Sequence, residues 1–244
     1  MIYILLPTFN ESAVIEALIR NIHSQLLNQQ HSIVVVNDGS TDNTLSLIEK
    51  LCSTVINLKI INHKMNLGLG KAMNTGFNYL SEIITDKDIL ITMDADNTHP
   101  VNIIPQLISG IKNDFDVIIA SRYALGGNEI GLSWFRKILS FGASKILKLF
   151  FSINNVTDYT CGYRAYSGKI IKKAEEFYRY NFITETGFTC MAEILLKLDK
   201  IGAKIQETGL VLRYDLKRGK SKIKILRTII DYMILIFKLK CKQK

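Results

Sequence analysis

Short, continuous apolar runs alternate with segments of helical spacing through the first half of this 244-residue chain, and few folds accept that rhythm. Residues 2–6, 32–36, 59–61, 89–93 and 117–120 read as buried strands. Residues 11–27, 43–51, 70–80 and 101–112 carry apolar side chains at the three-to-four-residue period of a helix, with Ala13, Ala17, Leu18 and Ile22 sharing a face in the first. Strands that are apolar on both faces need helices on both sides of the sheet. Each strand must also be followed by a crossover long enough to return the chain parallel to itself. The expected architecture is therefore α/β, a mostly parallel, doubly wound, Rossmann-like sheet flanked by helices.

In such sheets, ligands bind beyond the carboxyl ends of the strands, where the strand order reverses. Three polar clusters fall at such ends here: Pro7-Thr8-Phe9-Asn10-Glu11, Asn37-Asp38-Gly39-Ser40 and Asp94-Ala95-Asp96. Capping and turn formation explain some of these residues, with Thr41 or Asp42 suited to cap the helix that follows. They do not explain why acids gather at several strand ends. Asp94 and Asp96 lie two residues apart in extended chain, so both carboxylates face the same way and can approach one hard divalent cation.

The second half is less regular. Residues 132–151 form an amphipathic helix or helix pair, with Phe135, Ile138, Leu139, Ile146, Leu149 and Phe150 on one side. Lys137, Ser140, Ser144 and Lys148 line the other. Further helices are expected over 185–198 and 223–239. The formal net charge is +9, and its placement matters more than its size. Residues 217–244 carry ten basic side chains against Asp231 alone, and residues 130–157 carry Arg136, Lys137, Lys145 and Lys148 with no acid. The rest of the chain is net acidic. No nucleic-acid module accompanies these basic regions, whereas their apolar faces suit an anionic membrane surface. The same faces also suit a second copy of the chain or a membrane-protein partner. No apolar stretch approaches the roughly 18 residues of a membrane span, and the first residues lack a signal sequence's basic leader. The sequence thus predicts a cytoplasmic protein held peripherally at the inner membrane face. It divides into a catalytic domain over 1–222, with interface helices at about 132–151, and a basic helix and tail over 223–244.

Other chemistries lack their residues. The four cysteines are scattered and the four histidines too dispersed for zinc. Ser40 has no nucleophile-elbow context, and Gly68 and Gly70 do not complete a dinucleotide fingerprint. His99, beside Pro100, reads as a loop residue.

The ordered set of motifs resembles the family 2 glycosyltransferases of GT-A fold. The resemblance rests on the three clusters above, on Asn66-Leu67-Gly68-Leu69-Gly70-Lys71-Ala72 and on Gly76. Ala120-Ser121-Arg122-Tyr123, residues 158–164 and residues 213–222 narrow it to the polyprenyl-phosphate sugar transferases. It implies a nucleotide-sugar donor (a GDP- or UDP-sugar) and Mg²⁺ or Mn²⁺ bridging its diphosphate. Asp94 and Asp96 would be the metal ligands, with Thr98 at the third position. Pro7, Asn10, Glu11 and Asp38 would line the base and ribose pocket, with Lys71 among the donor-binding residues. Arg122 and Arg136 would contact phosphate. Ser221 and Lys222 would belong to a loop closing over the donor, with Arg213 and Lys220 beside it, and Asp158 and Arg164 would lie near sugar and acceptor. The acceptor would be a polyprenyl phosphate, in the service of cell-envelope glycan synthesis. A saccharide or glycolipid hydroxyl, with Glu185 or Asp158 as general base, is the alternative reading. A membrane-associated nucleotide-binding protein without turnover is a third.

Overall fold

The computed structural model describes residues 1–218 and 225–241. In chain order the elements are β1 (Ile2–Thr8), α1 (Ile15–Gln25), β2 (His31–Asn37), α2 (Thr44–Leu51), β3 (Leu58–Asn62), α3 (Leu69–Ser81), β4 (Ile89–Thr92), α4 (Ile104–Lys112), β5 (Val117–Ser121), β6 (Asn128–Ile130) and α5 (Trp134–Phe150). They continue with β7 (Arg164–Ser167), α6 (Gly168–Tyr178), α7 (Cys190–Lys200), β8 (Ile205–Gly209), β9 (Val211–Arg213) and α8 (Ile225–Cys241). Seven strands form one sheet in the order β3-β2-β1-β4-β7-β5-β8, and β6 pairs with β9 in a small separate ladder.

The expected parallel sheet is present, with one departure. β7 runs antiparallel between β4 and β5, whereas the other sheet pairings are parallel. Residues 164–167 carry no strand signal in the sequence because Arg164 interrupts any apolar run, and an antiparallel insertion needs no helical crossover to announce it. Ile4, Leu5 and Leu6 of β1 are fully enclosed, as a strand with layers on both faces must be. Each such side chain contributes about 1.5–3 kcal/mol by leaving water.

Local boundaries moved for identifiable reasons. The first helix begins at Ile15, because Glu11 to Val14 form turns tied to the next loop, with Glu11 N–H donating to Thr44 Oγ1 at 2.8 Å. Its buried stripe is Ile15, Leu18, Ile19 and Ile22, while Ala13 and Ala17 face solvent. Larger side chains outcompeted the alanines for the core because they remove more apolar area. The N-cap position of α2 falls on Asn43, whose side chain makes no capping bond, while Asp42 just before it accepts the Thr44 N–H at 3.0 Å.

The amphipathic segment at 132–151 is one helix, α5, and it lies against the body by its minority face. Ser144 and Leu147 are buried, while Trp134, Phe135, Ile138, Phe141, Ile146 and Leu149 are exposed. α8 contacts α5 and buries Tyr232, Leu235 and Ile236. Its Ile229, Ile230, Met233 and Phe237 are also exposed. Among the described residues no helix is long and apolar enough to cross a membrane.

Candidate active site

The chain passes from β1 through α1 to β2 on one side, then returns through α3 to β4 on the other side of β1. The crevice between β1 and β4 is thus the point where the strand order reverses. Leu5 is level with Thr92, so continuing the register sets Asp94 beside Pro7. The acidic triplet and the first polar cluster are brought together by this pairing.

The Asp94 and Asp96 environments differ. Asp96 is buried, and Asn97 follows it at φ 64°, a left-handed conformation that Asn tolerates better than most residues. That bend returns Thr98, whose hydroxyl donates to Asp96 Oδ1 at 2.7 Å. The Lys217 ammonium lies against Asp96 Oδ2. Burial alone would raise the Asp96 carboxyl, but the ammonium, His99 and the Thr98 hydroxyl together outweigh it and hold the group below the usual carboxylate range. Asp94 is more open, with 38% of its side chain exposed, and is pushed upward by desolvation, with Asp96 adding repulsion against the pull of His99 and Lys217.

His99 lies in a loop, as the sequence predicts, and it also holds the site together. It is buried, stacked on Tyr163 with centroids 4.8 Å apart, and its Nδ1 accepts the Asp94 N–H at 3.0 Å. Because that nitrogen accepts, a neutral ring carries its proton on Nε2, which is 3.9 Å from Asp94 Oδ2. His99 therefore fixes the backbone of Asp94, while its Nε2 faces the carboxylate from beyond hydrogen-bond distance. The signal available in the sequence was its spacing, five residues beyond Asp94.

On the β1 and β2 side, Asn10 sits at φ 51° and its side chain accepts the Thr41 N–H at 2.8 Å, stitching the two loops together. Glu11 is buried and Pro7 half-buried at the same strand end. Asp38 is almost enclosed. Its carboxylate is paired with His63 at 2.7 Å and accepts the Leu67 and Gly68 N–H groups, each at 2.9 Å. This shapes the loop entering α3, where Lys71 is exposed in the first turn. Gly39 and Gly70 permit the close approaches around that loop. A Cβ on Gly39 (φ +66°) would fall 2.3 Å from the Met65 carbonyl carbon, and one on Gly70 1.8 Å from Glu185 O.

The arginines separate into distinct roles. Arg122 engages Asp158 through Nε and Nη2, each at 2.7 Å, and also donates to Glu129, Ser140 and Thr160. All five of its N–H groups are committed within the protein. Asp158 has no exposed surface, and Arg122 keeps its carboxyl below the usual range although burial opposes this. Arg164 is likewise fully buried, donating to Met191 O and Tyr159 O, so the described conformation holds it in the core rather than at the crevice. Arg136, from α5, is half-buried, donates to Tyr214 OH at 2.6 Å and lies over the Tyr214 ring. Arg213 pairs with Asp215, and its backbone N–H donates to Thr98 O at 3.0 Å. Lys220, Ser221 and Lys222 lie outside the described residues.

Glu185 is placed before α7 rather than in its first turn, where Glu193 stands instead. Glu193 is buried and accepts the Thr184 and Glu185 N–H groups at 2.9 Å each. Glu185 itself is paired with Lys238 of α8 at 2.8 Å. A sequence pattern cannot announce that contact, because it joins two segments separated by α7 and the small ladder.

Among the described residues, no three histidine, cysteine or acidic side chains gather into a metal-holding group. The Asp94–Asp96 pair still fits a divalent cation: two hard oxygen donors stand two residues apart at the β1/β4 crevice, and Asp96 already holds one cation, Lys217. An ion there would complete its coordination with oxygens the protein does not supply, as a diphosphate can.

Residues 3–174 match the family model described as Glycosyl transferase family 2. The chain is 31% identical over 238 residues to the dolichol-phosphate mannosyltransferase of Pyrococcus furiosus, covering 97% of this chain and 62% of that protein. It is 28% identical over 173 residues to the polyprenol monophosphomannose synthase of Mycolicibacterium smegmatis, covering 70% and 63%. The chain thus spans less than two thirds of the length of either relative. Glucosyl-3-phosphoglycerate synthase of Mycobacterium tuberculosis, solved with Mn²⁺, UDP and phosphoglyceric acid, superposes with a TM-score of 0.69 at 17% identity, covering 97% of this chain and 78% of that one. That likeness establishes the shared GT-A fold.

Proposed function

The chain belongs to glycosyl transferase family 2, and from that premise we propose that it moves a sugar, with inversion, from a GDP- or UDP-sugar to a polyprenyl phosphate at the inner face of the membrane. The observation that carries the donor half is the Asp94–Asp96 pair at the β1/β4 crevice, balanced by a lysine drawn from far along the chain. A bound Mg²⁺ or Mn²⁺ supplies Lewis-acid stabilisation to the departing nucleoside diphosphate. Asp94 and Asp96 would hold that ion, with the Thr98 hydroxyl beside them and His99 holding the Asp94 backbone in place. Pro7, Asn10, Glu11 and Asp38 form the wall for base and ribose, and Lys71 is among the donor-binding residues. Asp38 acts there largely through the backbone it organises.

For the acceptor, a lipid phosphate is already anionic and needs no general base, whereas a hydroxyl does. Both candidate bases of the alternative are engaged, Glu185 by Lys238 and Asp158 by Arg122, which favours the phosphate reading. Arg136 is the phosphate contact best supported by its position, and Arg213 stands near it through Tyr214 and Asp215. Arg122 contacts a phosphate only by giving up a partner it now has. Ser221, Lys222 and Lys220 are assigned to the closing loop on the resemblance alone. The partition into a catalytic unit over 1–222 and a basic tail over 223–244 belongs to the same proposal.

The exposed apolar faces of α5 and α8, flanked by Lys137, Lys145, Lys148, Lys238 and Lys240, support peripheral docking on an anionic surface. The protein is expected to float with vesicles containing anionic lipid and much less with zwitterionic ones, and to be released by added salt. Equal recovery with both vesicle types would remove the electrostatic part of this reading.

The central test incubates the protein with membranes and labelled nucleotide sugars. Label is expected in a mild-acid-labile lipid, lost on adding EDTA and restored by excess Mg²⁺ or Mn²⁺. Transfer that survives chelation would refute the role of Asp94 and Asp96. Label in an acid-stable product would point to a hydroxyl acceptor, and no transfer with any donor to a protein without turnover.

A further inference from the structure

Lys217 fills none of the roles expected from the sequence, yet only 13% of its side chain is exposed and its ammonium lies on Asp96 Oδ2. The same ammonium is 5.5 Å from the centre of the Tyr214 ring, and Arg136 stacks on that ring and bonds to its hydroxyl. Arg213 N–H bonds to Thr98 O. Residues 213–217 are therefore fastened across the acidic triplet at Thr98 and Asp96, and to α5 through Arg136.

An ammonium and a divalent cation on one carboxylate repel each other strongly when only a few ångströms apart in a partly dry site, which favours exchange of one for the other over joint occupancy. An open cleft of about 600 Å³ borders the fastened segment, lined by Asn97, His99, Arg213 and Leu216 with Asn21 and Ser24 of α1, and offers room for the segment to shift.

We infer that Lys217 is the resident counter-ion of the Asp94–Asp96 site and is exchanged for the divalent cation on loading, with residues 213–217 moving as it leaves. The inference rests on the reading of Asp94 and Asp96 as metal ligands. Three consequences follow from the charges. The lysine keeps the two carboxylates from repelling each other while no metal is bound. It weakens metal binding in the absence of nucleotide, because the ion pair must first break. A nucleoside diphosphate offsets that cost by giving the released ammonium a new anionic partner.

The test is titration of Mn²⁺, followed by the electron paramagnetic resonance of the free ion, without nucleotide and with UDP or GDP. It compares the wild type with Lys217→Met, Lys217→Gln, Lys217→Arg and Asp96→Asn. Without nucleotide, Lys217→Met and Lys217→Gln are expected to bind Mn²⁺ at least about tenfold more tightly than wild type, from removal of one competing charge. Lys217→Arg should remain close to wild type and Asp96→Asn should bind poorly. Nucleotide should tighten Mn²⁺ binding more in wild type than in the neutral variants. Thermal melts give an independent readout, because Mn²⁺ should raise the melting temperature of the neutral variants more than that of wild type. The neutral glutamine variant retains a hydrogen-bond donor for Asp96 should methionine impair folding. Equal Mn²⁺ affinity in wild type and both neutral variants, with Asp96→Asn impaired, overturns the exchange and leaves the metal site standing. No Mn²⁺ binding by wild type, even with UDP or GDP, overturns the metal reading and this inference with it.

Discussion

Asp96→Asn is expected to slow sugar transfer by about a hundred- to a thousand-fold, the usual consequence of losing one preorganised electrostatic contact to a departing anion. The substitution keeps the shape of the side chain and one oxygen to accept from Thr98, so the turn at Asn97 should survive. It removes the negative charge that attracts either Lys217 or a metal ion. Initial rates of label transfer at saturating Mn²⁺, with circular dichroism to verify the fold, measure the effect. A rate within about threefold of wild type would place the leaving-group chemistry elsewhere. Asp94→Asn should be at least as damaging, since it removes the other negative charge of the pair, while the His99 bond, made to the Asp94 backbone N–H, stays in place. His99→Ala is a milder test of the same arrangement, because it leaves both carboxylates in place and loosens only their geometry.

Arg122→Met is expected to cost about 3–5 kcal/mol of folding stability, because it leaves the Asp158 carboxylate buried without its partner. Glu129 would lose its contact with Arg122 as well. Denaturant unfolding gives the measurement, and a loss below about 1 kcal/mol would show that the pair is not a structural support. The pH dependence carries a sign that separates the two proteins. In wild type the Asp158 carboxyl lies below its ordinary value, so its contribution is fully present above the unfolded carboxyl pKa of about 4 and is lost as pH falls through the lower folded value. In Arg122→Met the same buried carboxyl has only its desolvation penalty and its remaining hydrogen bonds. Desolvation then raises that carboxyl above the unfolded value, so protonation relieves the variant as pH falls towards about 4 and the wild-type contribution is lost below it; the stability gap should narrow on both sides of about pH 4. Combining Arg122→Met with Asp158→Asn should restore part of the loss, whereas two unrelated contributions would simply add. If Arg122 also reaches a substrate phosphate, the double variant will recover stability without recovering activity.

The part of this protein visible in its sequence was what neighbouring residues dictate. Runs such as Ile33-Val34-Val35-Val36 announce a strand enclosed on both faces, and the three polar clusters announce where such strands end. Asp94 and Asp96 could be identified as a pair because extended geometry alone turns both carboxylates the same way. β7 escaped notice because its identity comes from two neighbours that hydrogen-bond to it, and Ala13 and Ala17 were misplaced because a helix face is chosen by what packs against it. α5 shows the same limit from the other side. Its amphipathic pattern was plain, but the pattern does not say that Ser144 and Leu147 would turn inward while Trp134, Phe135 and Leu149 stayed out.

The sequence by itself determined the layered architecture, the strand-end crevice and the acids that stand in it, since each depends on periodicity and turn chemistry over a few residues. Only the tertiary structure decided the electrostatic partners. Lys217 meets Asp96 from 121 residues away, Arg122 spends its donors on Asp158 36 residues on, and Glu185 is claimed by Lys238 from the last described helix. Those pairings follow from burial. Once the sheet closes, a carboxylate removed from water takes whichever cation the fold brings within reach, and no local pattern encodes which one that is.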